Sequence, residues 1–156
     1  MPKGFVTAEE GHDVLALAPV DINGGVSSDV WSMVHWSHAS ILIALGVTGG
    51  ATTITVEECD NFVPDNSTAI AFSVYKEEEA GGDTLGAKVA VTTAGFAAST
   101  NDGVFYRIEI DTAQLSDGFP NLRVVLSNPS GATFGCIVAT LSGGRYAGLS
   151  SATAIA

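Results

Sequence analysis

The sequence predicts an all-β protein, an antiparallel β-sandwich of jelly-roll type with about eight strands and extended N- and C-terminal arms. Short runs rich in Val, Ile, Thr, Phe and Tyr recur along the chain, and each is closed by Gly, Asn, Asp, Ser or Pro. Little ionisable chemistry is gathered between them. A length of 156 residues fits one domain with enough apolar side chains to bury a core.

Taken in order, residues 1–13 show no sustained period and read as an arm. Residues 28–36 (SDVWSMVHW) are too short for an independent helix. As a strand they place Val30, Ser32, Val34 and Trp36 on one side, and Trp31, Met33 and His35 on the other. The next run is 38–47 (HASILIALGV), and 30–34 is expected to form a hairpin with 41–45 across the turn WSHA. Runs at 52–59 (TTITVEEC), 69–76 (AIAFSVYK), 88–93, 104–111 (VFYRIEID), 122–127 (LRVVLS) and 135–142 (GCIVATLS) complete the set. In 104–111, Val104, Tyr106, Ile108 and Ile110 share one face while Phe105, Arg107 and Glu109 share the other, the pattern of a half-buried strand. In 69–76, Ile70, Phe72 and Val74 alternate with Ala71, Ser73 and Tyr75. The charged, glycine-rich 77–86 (EEEAGGDTLG) reads as an exposed loop. The sandwich domain is thus bounded at 14–142, with a second arm at 143–156. This last stretch, small and almost uncharged, either docks on a neighbour, folds back over its own sandwich or is poorly ordered.

Seventeen acidic against six basic side chains give a formal net charge of -11. Affinity for phosphate comes from Lys and Arg, so nucleic acid and anionic membranes are poor partners. The N-terminal stretch lacks a signal-peptide core and no run has the roughly 20 apolar residues of a membrane span, so the chain is expected to be made in a cytoplasm. Cys59 and Cys136 lie within strands and read as free thiols rather than a disulfide.

The chemical candidates are weak. His35 and His38 (H-W-S-H) point to opposite faces if they share a strand, and no third ligand lies near in sequence for a zinc site. Glu57, Glu58, Asp60 and Asp65 match no calcium loop and read as a solvated strand end. None of the nucleophile-elbow, metalloprotease, P-loop or dinucleotide-binding motifs is present, so the expectation is a non-enzyme without metal or cofactor. The paired glycines at 24–25, 49–50, 81–82 and 143–144 read as turn residues.

What remains is surface. Trp31, Trp36 and Tyr146 are large amphipathic groups that serve either as sandwich core or as contact residues. Together with Phe5, Leu149 and Ile155 from the arms, they form the expected interface set. A protein that adheres to copies of itself or to a larger lattice fits this composition. A carbohydrate-binding module is the rival, with Trp31 and Trp36 exposed as a sugar platform.

Four segments also carry a resemblance: DINGGVSSDV at 21–30, ITVEECDNF at 54–62, YKEEEAGGDTLGA at 75–87 and LSGGRYAGLSSATAIA at 141–156. In these the chain resembles the head decoration, or cement, proteins of tailed bacteriophages. The resemblance implies a β-sandwich, often jelly-roll-like, that sits on the capsid exterior. Its partners would be the major capsid protein and copies of itself, with trimers at local three-fold positions. It implies no catalytic residue. Another virion role, such as a head-fibre base or tail component, shares the same features.

Overall fold

The structure, a computed structural model, describes residues 4, 6–78, 82, 84–145 and 153–155. After one helical turn at Thr7–Glu10 the chain forms β1 (Gly11–Asp21), β2 (Val26–Ser27), β3 (Trp31–Ser32), β4 (His38–Thr48), β5 (Thr53–Cys59) and β6 (Ser67–Ala69). It continues through β7 (Phe72–Glu78), β8 (Val89–Val91), β9 (Phe96–Ala97), β10 (Val104–Asp111), β11 (Asn121–Leu126) and β12 (Thr133–Ser142). The larger sheet runs β1-β12-β4-β10-β7-β8. The smaller runs β2-β11-β5-β6, with β3 on the other end of β11 and β9 on the other end of β5.

Every ladder between these strands is antiparallel, and the pairing is nested. β1 pairs with β12, β2 and β3 with β11, β4 with β10, and β5 with β6 and β9. A long hairpin rolled into two sheets has this order, which is the jelly-roll arrangement. β7 and β8 then widen the larger sheet beyond β10.

Alternation dictates the core. Ile41 and Ile43 of β4, Ile108 and Ile110 of β10 and Ile137 of β12 meet Ile54, Val56, Leu122, Val124 and Leu126 of the smaller sheet, all buried. Each such side chain removed from water stabilises the fold by roughly 1.5 to 3 kcal/mol. At one end Phe96 sits edge-on to Tyr106 and Phe72, with ring centroids 4.9 and 6.1 Å away. The Tyr106 hydroxyl accepts from the Ser99 N–H at 2.7 Å. Gly95 closes the turn into β9 at φ 76, and a Cβ there would strike the Ile54 carbonyl and the Thr55 methyl.

Several expectations need correction. Residues 11–13 belong to β1, so the sandwich begins earlier than residue 14. Residues 28–36 do not form a hairpin with β4. Only Trp31–Ser32 is strand, it pairs with β11 in the smaller sheet, and a turn closed by Trp36 N–H to the Met33 carbonyl carries the chain across to the larger one. The run 69–76 is two strands, because Ala69 pairs with Glu57 in one sheet and Phe72 with Val91 in the other. Glu77 and Glu78 extend β7 rather than opening the loop. Of the alternatives for the C-terminal stretch, residues 153–155 fold back on the chain's own sandwich: the Ser32 N–H donates to the Ala154 carbonyl at 2.8 Å, Trp31 bridges Ile155, and Ala154 is buried.

Candidate interaction surface

The strands of the larger sheet bury one face against the core and leave the other outward, and register assembles the outward side chains into rows. One row reads Leu15, Val138, Leu42, Arg107 and Tyr75 across β1, β12, β4, β10 and β7. The next reads Cys136, Ala44, Phe105 and Glu77. Beyond it lies Phe134, opposite Gly46 and Val47 across a register shift. Leu15, Phe134 and Val47 are 55%, 51% and 60% exposed. Over three adjacent strands this half of the face is therefore apolar, where a sheet face turned to water ordinarily alternates to polar residues. Ala44, Phe105 and Glu77 also line a hollow of about 420 Å³ at its edge.

The other half is polar. Asp13, Thr140, Ser40, Glu109 and Ser73 form one row, and Ser142, His38 and Asp111 the next. His38 is clamped between two carboxylates, Nδ1 to Asp111 at 2.8 Å and Nε2 to Glu109 at 2.6 Å. The Ser40 hydroxyl donates to Glu109 at 3.0 Å and accepts from Arg107 at 2.9 Å, while Thr140 donates to Asp13 at 2.6 Å. Partial burial lowers the His38 pKa, but the hydrogen bonds and charges of Asp111 and Glu109 outweigh it, and the pKa lies above the ordinary 6.5. Both ring nitrogens can donate to these carboxylates only in the imidazolium form.

The expected site residues fall elsewhere. Trp31 is fully buried and Trp36 is 4% exposed, stacked on His12 at 5.8 Å between ring centroids. Both indoles fill the core, so neither offers a contact surface on the single chain. Ile155 is half-buried against the same core. Phe5, Tyr146 and Leu149 lie outside the described residues. Both ring nitrogens of His38 are taken by carboxylates, which leaves none for a metal shared with His35. Of the acidic group, Glu57 pairs with Arg123 at 2.6 Å and the buried Glu58 accepts from the Ser116 N–H at 2.7 Å. Among the described residues no group of three or more His, Cys, Asp or Glu side chains is placed to hold a metal ion. Cys59 and Cys136 are free thiols. Burial pushes the Cys59 thiol up to about 11.

Sequence reasoning identified the outward trio Phe105, Arg107 and Glu109 but not the apolar half beside it. The signal was present. LIALGV in β4 and the stretches VLALA in β1 and CIVA in β12 are continuous apolar runs, the mark of strands covered on both faces.

No family model matches the chain, and no curated protein does. Among solved structures, the chain is similar to the SPBc2 prophage-derived protein YomS at 12% identity, covering 85% of this chain and 94% of that one with a TM-score of 0.47. A chain of the T13 IBDV viral particle aligns at 9% identity over 92% of this chain and 42% of that one, with a TM-score of 0.20. At these values neither likeness carries a functional argument.

Proposed function

We propose that the protein is a non-enzymatic virion component that binds the outer surface of a phage capsid and reinforces the shell, with the major capsid protein and further copies of itself as partners. The observation that supports this is the apolar half of the outer face on the larger sheet, which suits protein–protein contact, between copies of the chain first of all. The segment resemblance to phage head decoration proteins supports the same reading. So does the net charge of -11, which keeps free copies soluble before assembly. The carbohydrate-binding alternative required Trp31 and Trp36 as an exposed platform, and with both indoles in the core that support is gone. A head-fibre base or tail component would use the same face and differs only in place and copy number.

Quantitative mass spectrometry of purified virions tests the proposal. One copy per major capsid protein, or a fixed simple fraction of that, is the expected result. Absence from the particle rejects a virion role, and a handful of copies moves the protein to the fibre or tail.

A further inference from the structure

We infer that the outer face of the larger sheet is covered by a second copy of this chain, packed face to face about a two-fold axis running along the strands. The inference deepens the proposal above by naming the surface through which copies associate.

Size is the first support. The five outward-facing strands β1, β12, β4, β10 and β7, spaced about 4.8 Å apart and taken at about eight residues each, present roughly 24 by 27 Å, or about 650 Å² in projection. A standard interface buries about 800 Å² of accessible surface per partner, which a side-chain-bearing face of that projection matches. The apolar half alone is about 300 Å², within the range of the largest patch on ordinary monomers. Apolar and polar halves together make an interface with a hydrophobic centre and a hydrogen-bonded rim.

Charge is the second. Two copies at -11 each repel, so they meet most readily where acids are sparse or balanced. On this face Asp13, Glu77, Glu109 and Asp111 are offset in part by Arg107 and by His38, which two carboxylates hold toward its charged form. The two apolar rows contain no acid other than Glu77 at their far edge.

Symmetry is the third. A two-fold axis across the strands would lay the polar half of one copy on the apolar half of the other. An axis along the strands, at β4 in the middle of the five, keeps apolar on apolar and carries β10 of each copy over β12 of the other and β7 over β1. In register, Arg107, which is in no ion pair among the described residues, then lies over Val138, Glu109 over Thr140, Asp13 over Ser73 and Asp111 over Ser142. Asp13, Glu109 and Asp111 thus each face a serine or threonine of the other copy, and no acid faces an acid in these rows.

Sedimentation equilibrium of the purified full chain decides the matter, with circular dichroism as the check on folding. The wild type is expected at twice the 15.9 kDa of one chain at micromolar concentration. Leu15→Glu, at an exposed position on an edge strand, should raise the dissociation constant about tenfold or more, the equivalent of 1.4 kcal/mol. Val63→Glu, 82% exposed in the loop after β5, should leave it unchanged. A wild-type monomer or trimer overturns the two-fold pairing, as does a Leu15→Glu protein that folds and still dimerises like the wild type. All of this is read on free protein, so a monomer leaves shell attachment to the virion copy count, and a dimer absent from virions leaves the pairing intact.

Discussion

The two sheets finish their outer faces differently. On the smaller sheet the outward positions of β5 and β11 are Thr53, Thr55, Glu57, Arg123 and Val125, flanked by Ser27 and Ser67. Arg123 donates through Nε to Glu57 at 2.7 Å and through Nη2 to Ser67 at 3.0 Å, so its charge is satisfied within the sheet. The larger sheet offers the polar clamp of His38, Glu109 and Asp111 at one end and Leu15, Leu42, Phe105, Phe134 and Val138 at the other. Both sheets bury the same kind of inner face, so folding does not require this contrast. A surface that is apolar without helping the fold is explained by something outside the chain covering it.

The contrast sharpens first between neighbours on one strand. Ile41→Ala, on the inner face of β4, should cost about 2 to 5 kcal/mol in chemical denaturation, through lost burial and a residual cavity. Leu42→Ala, one residue on and outward, should cost clearly less in the monomer. Equal losses would mean that the outer face is as structural as the core.

Next in size is the finished face. Arg123→Ala should lower stability by about 1 kcal/mol, as expected for a half-buried pair with an added hydroxyl contact, and should leave the sedimentation behaviour unchanged. A shift in oligomeric state would assign self-association to the wrong sheet.

The His38 clamp predicts a pH dependence. The folded-state pKa is raised, so the stabilisation is fully present below the ordinary value of 6.5 and is lost as pH rises through the higher folded value. His38→Asn should flatten that decline above pH 6.5 in thermal melts at several pH values. An unchanged profile would show that the clamp contributes nothing. Smallest of all, Leu15→Glu should change the unfolding free energy of the monomer by no more than about 0.5 kcal/mol, as surface substitutions ordinarily do. A larger loss would put Leu15 in the fold rather than in the contact.

Much of this architecture was legible from local pattern. The strand at 104–111 is found as read, and β4, β5, β11 and β12 begin and end within two residues of their runs, because a half-buried antiparallel strand writes its burial as alternation. β1 escaped because register shifts between Leu15 and Leu17 and between Leu17 and Val20 break the period of two, and Pro19 further disguises an edge strand. The break between β6 and β7 at Ile70–Ala71 is a passage from one sheet to the other, and no local residue preference encodes which sheet a strand joins. Trp31 and Trp36 were ambiguous for a physical reason: a large aromatic ring suits a core and an interface equally. The surface itself was written in the sequence as runs with apolar residues on both faces, but alternation counting treats such runs only as strong strands.

The central claim is that the outer face of the larger sheet is covered by another copy, and Cys136 reports on it without any substitution. It lies outward in the apolar half, whereas Cys59 is buried and its thiol is held at about 11, so a thiol reagent at neutral pH reads one site. The measurement is the rate of Cys136 labelling as a function of protein concentration. The account predicts that labelling slows as concentration rises and the face becomes covered. A rate that stays the same from dilute to concentrated protein would contradict it.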